Sequence, residues 1–222
     1  MYLSDIHTHS IASGHGTSCT ISDMAKAASK KGLKLLGITD HGPGTLAAGT
    51  SSYFRSLTYA PKKRFGIELL FGAELNILDT EGHLDLNDEL LSELDYAIAS
   101  MHAQNYKSGT VEENTSAYLN AMRHPCVKVL GHCDNPAFPV DYETLAFGAR
   151  EYGVIFEINE ASLMPDGYRG DTRANNKEIL RCCRKLEIPI VLSSDSHGAE
   201  HVGEFTYGAE FVHEMMFPER LI

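Results

Sequence analysis

Two histidines stand two apart in DIHTHS, His7 and His9, and His15 follows within SGHG. Further along come His41 in GITDH, Glu74 in FGAELN, His102 in SMH, His132 in LGH, and Asp195 with His197 in SSDSH. Imidazole and carboxylate together, with no thiolate grouped among them, are the donor set for zinc, manganese or iron. Residues two apart on an extended segment point the same way, so His7 and His9 can face one cation. His15 lies beyond a turn flanked by Gly14 and Gly16. One H-x-H pair carries little weight, but nine such side chains exceed what one ion takes. At roughly three or four protein ligands per catalytic ion they accommodate two or three ions, above all if a carboxylate bridges, and three is the expectation.

The chain between these residues has to bring them together. Compact apolar runs at residues 2–6, 33–39, 68–73, 96–100, 128–131, 154–158 and 190–193 have the character of strands buried on both faces. The stretches DMAKAASKKG, YFRSLTYAPKKRFG, VEENTSAYLNAMR, YETLAFGAREYG and NNKEILRCCRKLE supply crossover helices. NILDTEGHLDL reads as a hairpin turning at Glu81-Gly82, and GAEFVHEMM as a short last helix. Strand then helix, repeated, means a parallel sheet, open or closed as a barrel. The metal-capable residues follow the first, second, third, fourth, fifth and seventh runs. In parallel α/β folds the carboxyl ends of the strands share one face, where ligands bind, so these positions converge on one site. His83, His124, His201 and His213 have no such position and read as ordinary surface or core histidines.

Bulk properties narrow the function. A chain of 222 residues, 43% hydrophobic, fits a single domain over 1–222. No apolar run approaches the roughly 18 residues that span a bilayer, and the first residues lack an export signal, so neither is expected. The five cysteines, Cys19, Cys126, Cys133, Cys182 and Cys183, form no C-x-x-C pair, which suits a reducing compartment, the cytoplasm. A net charge of −11 excludes nucleic acid and membrane surfaces as expected partners, and an anionic substrate needs a local positive focus that bound metal would supply. None of the cysteines has an arginine six residues later, which closes the cysteine-phosphatase route. The polar loop 162–175, SLMPDGYRGDTRAN, carries Arg169 and Arg173, whose planar guanidinium groups suit phosphate oxygens, with Tyr168 and Met164 to flank an organic leaving group. Asn159 and Glu160 end the only strand without a ligand and read as substrate-side residues. Asp40 and Asp5 read either as acceptors that orient imidazoles or as capping residues.

DIHTHS, GHG, GITDH, FGAELN, MH at 101–102, GH at 131–132 and SSDSH at 193–197 together resemble the motifs of the PHP family, named for polymerase and histidinol phosphatase. The resemblance runs from residue 3 to about residue 204 and is strongest to the short stand-alone bacterial branch. It implies an α/β fold, a distorted seven-stranded (β/α)7 TIM-like barrel, with a trinuclear site at the carboxyl ends of the strands. Carried onto matching positions, His7, His9, Glu74 and Asp195 hold one ion, Glu74, His102 and His132 a second, and His15, His41 and His197 a third, with Glu74 as the bridge. The implied activity is hydrolysis of a small phosphomonoester by a hydroxide shared between ions, with Glu74, Asp195 and His197 at the chemistry. A histidinol-phosphate phosphatase and a non-catalytic metal-bound module are the alternatives, the first weakened by the absence of long insertions. The sequence stops soon after the seventh run, so a short helix or another subunit of a homo-oligomer is expected to cover the last strand.

Overall fold

Strands and helices alternate along the computed structural model, which describes residues 2–221. The order is β1 (Ser4–Asp5), α1 (Ile21–Lys30), β2 (Leu35–Ile38), α2 (Ser51–Leu57), β3 (Lys63–Arg64), β4 (Ile67–Phe71), β5 (Ala73–Asn76), α3 (Asp88–Leu91) and β6 (Ala97–Ser100). Then follow α4 (Val111–Met122), β7 (Val127–Leu130), α5 (Tyr142–Tyr152), β8 (Ile155–Asn159), α6 (Glu160–Leu163), α7 (Arg173–Leu186), β9 (Ile190–Ser193) and α8 (Thr206–Glu214). Helix starts are written locally. Thr20 accepts from the Asp23 amide while the Asp23 carboxylate accepts from the Thr20 amide, and Thr110 with Glu113 repeats the arrangement at α4.

The strands form two sheets, ordered β1-β2-β4-β3 and β5-β6-β7-β8-β9, parallel throughout except where β3 meets β4. The parallel α/β arrangement is as expected, but the strand count differs from the distorted seven-stranded barrel that the resemblance implies, and Gly72 explains part of the difference. The third apolar run divides there: Ile67–Phe71 pairs with β2 and Ala73–Asn76 with β6. At Gly72 the backbone runs so close to its neighbour that a Cβ would stand 2.6 Å from the Tyr96 carbonyl oxygen. The stretch YFRSLTYAPKKRFG, expected to supply a crossover helix, does so only in its first part. The helix ends at Leu57, before Pro61, and left-handed Phe65 (φ 50) and Gly66 (φ 84) turn Lys63–Arg64 back onto β4 as an antiparallel edge. Single bridges tie the two sheets, Thr8↔Ser196 after β1 and β9 and His41↔Glu74 from the end of β2 to β5. The expected hairpin is present, bridged at Ile77↔Leu84 with Gly82 in the left-handed region.

The main apolar core lies between sheets and helices, and a smaller cluster of Tyr96, Ile98 and Val129, with Ile6, Leu70, Ile155 and Val191, forms separately from it. The last strands are covered by α8, whose Gly208 sits within contact distance of Leu192 and Ile158, with Phe211 and Val212 buried. Glu160, expected on the substrate side, instead accepts from the Tyr207 and Gly208 amides at 2.9 and 2.7 Å and so holds the start of α8. Among the described residues no helix is long and apolar enough to cross a membrane.

Candidate metal centre

The carboxyl ends of the parallel strands deliver the ligands. His7 and His9 follow β1, His41 follows β2, Glu74 lies in β5, His102 follows β6, His132 follows β7, and Asp195 and His197 follow β9. Glu74 is at the middle. Its Oε2 faces His7 Nε2 at 3.5 Å, His9 Nε2 at 3.6 Å and His41 Nδ1 at 2.7 Å. Its Oε1 faces His102 Nε2 at 3.3 Å and His132 Nε2 at 2.7 Å. Asp195 Oδ1 stands 3.2 Å from His9 Nε2 and 3.6 Å from His7 Nε2. His15 packs its ring 4.8 Å from that of His197 and 4.9 Å from that of His41. All nine expected ligands are therefore brought together.

Among the described residues three groups have ligand atoms within 4.8 Å of one another: His7, His9 and Asp195; His41, Glu74 and His102; and His9, His41 and His197. The first reproduces most of the first set implied by resemblance. In the others His41 stands with Glu74 and His102, and His9 with His41 and His197, so the boundaries between sets overlap.

The donor set fits metal on geometry. His7 Nε2, His9 Nε2, His41 Nδ1, Glu74 Oε2, His132 Nδ1 and His197 Nε2 are buried without a hydrogen-bond partner. Buried polar atoms are normally satisfied, and leaving them bare costs about 1–3 kcal/mol each. With metal–ligand bonds near 2.1 Å, the ligands of a tetrahedral ion stand about 3.4 Å apart. The separations of 3.2–3.6 Å among His7, His9, Glu74 and Asp195 match that edge.

The electrostatics agree. Burial opposes charge on His7, but Glu157, Asp195 and Glu74 around it outweigh burial and hold its pKa well above the ordinary value. Burial likewise works against ionised Glu74 and Asp195, yet neighbouring cations, His7 foremost for both and Arg169 for Asp195, drive both well below the usual carboxylate range. Burial lowers His9 well below its ordinary value and His132 to about 4, leaving neutral imidazoles suited to ligation.

A supporting ring of oxygens aims the imidazoles. Glu157 accepts from His7 Nδ1 and from the His132 amide, both at 2.6 Å, from Asn159 Nδ2 at 3.0 Å, and from the Ser193 hydroxyl. His9 Nδ1 meets Ser13 Oγ at 2.8 Å, and Ser13 donates to Asp40 at 2.7 Å. His102 Nδ1 meets Asn76 Oδ1 at 2.7 Å. Fixing one ring nitrogen turns the other inward. Asp40 thus acts on an imidazole through Ser13, whereas Asp5 takes the Ser194 amide at 3.1 Å, its hydroxyl at 2.6 Å and the Gly203 amide at 2.8 Å, fastening the first strand to the last. His132 (φ 27) and Asp195 (φ 53) adopt left-handed backbone, strain of the kind held at functional sites.

The substrate-side expectations separate. Arg169 is buried, with Nη2 on Asp195 Oδ2 at 2.8 Å and Nη1 on Asn159 Oδ1 at 3.2 Å and Ser162 Oγ at 3.0 Å. Arg173 is not brought to the site: it opens α7 in solvent and pairs with Glu214 at 2.7 Å. Asn159 is buried beneath, donating to Glu157 and Asp195 and capping α6 through the Ser162 amide, so it positions other groups rather than facing the pocket. The expected loop is shorter, since Ser162 and Leu163 close α6 and Arg173 begins α7. Sequence reading passed over Glu157, although an acid inside the apolar run VIFEIN, on the same face as Asn159, was a signal. A pocket of about 550 Å³ opens onto the centre, lined by His15, His41, His102, His132, Asp195 and His197 and also by Tyr168 and Arg169.

Buried imidazoles and carboxylates converging on the carboxyl edge of parallel strands define an α/β protein with a metal-ligand cluster. The chain belongs to the PHP domain family, which matches residues 5–162, as the motifs of the sequence implied. A protein of Clostridium novyi named a probable phosphatase is 39% identical over 221 residues, covering 100% of this chain and 89% of its own length. A Listeria monocytogenes protein assigned as a histidinol phosphatase superposes with a TM-score of 0.67 at 20% identity, over 93% of this chain and 99% of its own. Histidinol phosphate phosphatase from Lactococcus lactis, solved with zinc, L-histidinol and phosphate, gives 0.62 at 18% identity, over 97% and 94%. At those identities the structural likeness speaks for the fold.

Proposed function

We propose that the chain is a single-domain, metal-dependent phosphatase that hydrolyses a small phosphomonoester. In this reading His7, His9, His15, His41, Glu74, His102, His132, Asp195 and His197 hold three divalent ions, zinc, manganese or iron, and the two sheets, tied by the bridges Thr8↔Ser196 and His41↔Glu74, act as a distorted barrel of seven strand segments. The observation that carries it is Glu74, whose two oxygens face five imidazoles below a pocket large enough for an organic phosphate. The name of the Clostridium relative supports the activity. Divalent ions in such a site neutralise phosphate charge and lower the pKa of water to about 7.

The chain's own residues do the rest. Asp195, held by Arg169 and Asn159, and His197 flank the pocket from the end of β9, and Glu74 is buried against the lining imidazoles of His41, His102 and His132. Arg169 lines the pocket as a cation whose orientation is fixed by three acceptors, ready to meet a phosphate oxygen without reorganising. Five free cysteines, four of them buried, fit a reducing compartment and support a cytoplasmic setting.

The test is turnover of p-nitrophenyl phosphate by zinc-, manganese- and iron-loaded protein alongside elemental analysis. Hydrolysis is expected, with one solvent oxygen entering the phosphate released in labelled water. Absence of turnover with all three metals at confirmed loading would overturn the reading in favour of a non-catalytic metal-bound module.

A further inference from the structure

Besides the imidazoles, Asp195 and Arg169, the lining of the pocket includes Thr45, Met101, Gln104, Asn135, Phe138 and Tyr168. Carbon, neutral amides and hydroxyls supply all of this part. Among the residues that line the pocket the one carboxylate is Asp195, and it is fully engaged, Oδ2 with Arg169 at 2.8 Å and Oδ1 against His9 at 3.2 Å. Apart from the histidines the one cation is Arg169, which is paired with the same carboxylate and serves the phosphate in the phosphatase reading.

Resting on the phosphatase reading, we infer that the substrate's alcohol portion is uncharged and carries a flat aromatic or apolar group, selected by Phe138 and Tyr168. An ammonium there would give up its hydration to a wall with no free carboxylate while facing Arg169. A carboxylate on the alcohol would compete with the phosphate for the one guanidinium of the lining. An aromatic ring instead displaces water from carbon surfaces. Phe138 is buried and held edge-to-face by Tyr106, centroids 6.1 Å apart, so it is a fixed surface. Tyr168 is exposed, its ring backed by the Arg169 guanidinium at 4.5 Å, and presents its other face for a substrate to cover. Gln104 and Asn135 are left to meet a hydroxyl or carbonyl of the alcohol. Such a wall discriminates through what it leaves unpaired.

A matched pair tests this: 3-phenylpropyl phosphate and its 2-amino analogue, equal in framework and different by one ammonium, with ethyl phosphate as a small reference. The zinc-loaded protein is expected to favour the neutral ester by at least tenfold in kcat/KM. Gln104→Glu, which sets a carboxylate on an exposed wall position, should shrink that ratio at least fivefold, and Gln104→Met should not. Calorimetry with the corresponding non-hydrolysable phosphonates reads the same preference without turnover. Equal or reversed preference in wild type, with ethyl phosphate hydrolysed, overturns the inference. Tenfold phosphonate preference with no ester hydrolysed supports the pocket assignment and overturns the phosphatase reading instead.

Discussion

Replacing Glu157 by glutamine changes one charge and almost no volume beneath the metal centre. Its Oε1 accepts from His7 Nδ1 at 2.6 Å and from Ser193, and its Oε2 from the His132 amide at 2.6 Å and Asn159 Nδ2 at 3.0 Å. An amide keeps one oxygen as acceptor and makes the other a donor. Either the His7 ring or the His132 amide then meets a donor in place of a carboxylate. A hydrogen bond to a charged group contributes about 1.5–3 kcal/mol, and a stranded buried donor costs about 1–3 kcal/mol. Relaxation of Ser193 and Asn159 recovers part of this, so a stability loss of roughly 2–4 kcal/mol is expected. With His7 no longer aimed by a carboxylate, zinc affinity should fall about 10–100-fold. Urea unfolding of metal-free protein measures the first quantity and chelator competition the second. Stability within about 0.5 kcal/mol of wild type together with unchanged zinc affinity would refute the reasoning, because it would mean that the four contacts neither orient the ligands nor support the fold.

Glu74→Ala should lower metal content by more than one ion per chain in elemental analysis, since both oxygens face ligands of different groups; loss of one ion or fewer would contradict the bridging role. Arg169→Met should lower kcat/KM at least tenfold, about 1.4 kcal/mol of transition-state stabilisation, and destabilise the fold by about 3–5 kcal/mol by leaving Asp195 without its partner. Arg173→Ala should leave kinetics unchanged and cost under about 1 kcal/mol, because its pair with Glu214 is exposed; a kinetic defect would place it at the site after all. Metal-free His7 keeps its proton well above the ordinary imidazole pKa, so zinc loading near neutral pH must release that proton, and affinity must weaken as pH falls. Calorimetry in buffers of differing ionisation enthalpy reads the release, and a buffer-independent heat would contradict it. Burial pushes the Cys126 thiol up to about 11 and Cys133 well above its ordinary value, and Cys182 and Cys183 are buried too. Alkylation of native protein at pH 8, read by mass spectrometry, should therefore be confined to Cys19; modification of the buried four would show that the core opens.

The ligands were legible because their signal is local and repeated. Each of His7, His41, His102, His132 and Asp195 follows an apolar run, and chain direction alone says which end of a parallel strand that is. What was not legible depends on where a side chain turns after its backbone is placed. Arg169 and Arg173 are four residues apart in one polar segment, yet one folds inward onto Asp195 and the other begins a helix facing Glu214. Glu160 follows a strand as the ligands do, but the amides of α8, supplied by a segment far along the chain, claim it first. The division of the third strand rests on the close approach of the Tyr96 backbone to Gly72, which no periodicity reveals. Asp40 could be read two ways until Ser13, brought over by the turn after His9, stood between it and the imidazole.

The tie between Asp5 and Ser194, 189 positions apart, has a consequence for how the protein is made. At roughly 5–20 residues per second, a ribosome exposes His7 and His9 on the order of 10–40 seconds before Asp195 and His197 follow. Throughout that interval the early histidines lack the strand that packs beside them and the carboxylate that completes their group. A nascent or prematurely terminated chain can offer an ion only scattered donors, from which it exchanges readily. If the cluster holds metal as proposed, tight retention would begin once the segment after the ninth strand docks beside that after the first, and a firmly held ion would certify that translation ran through both ends of the site.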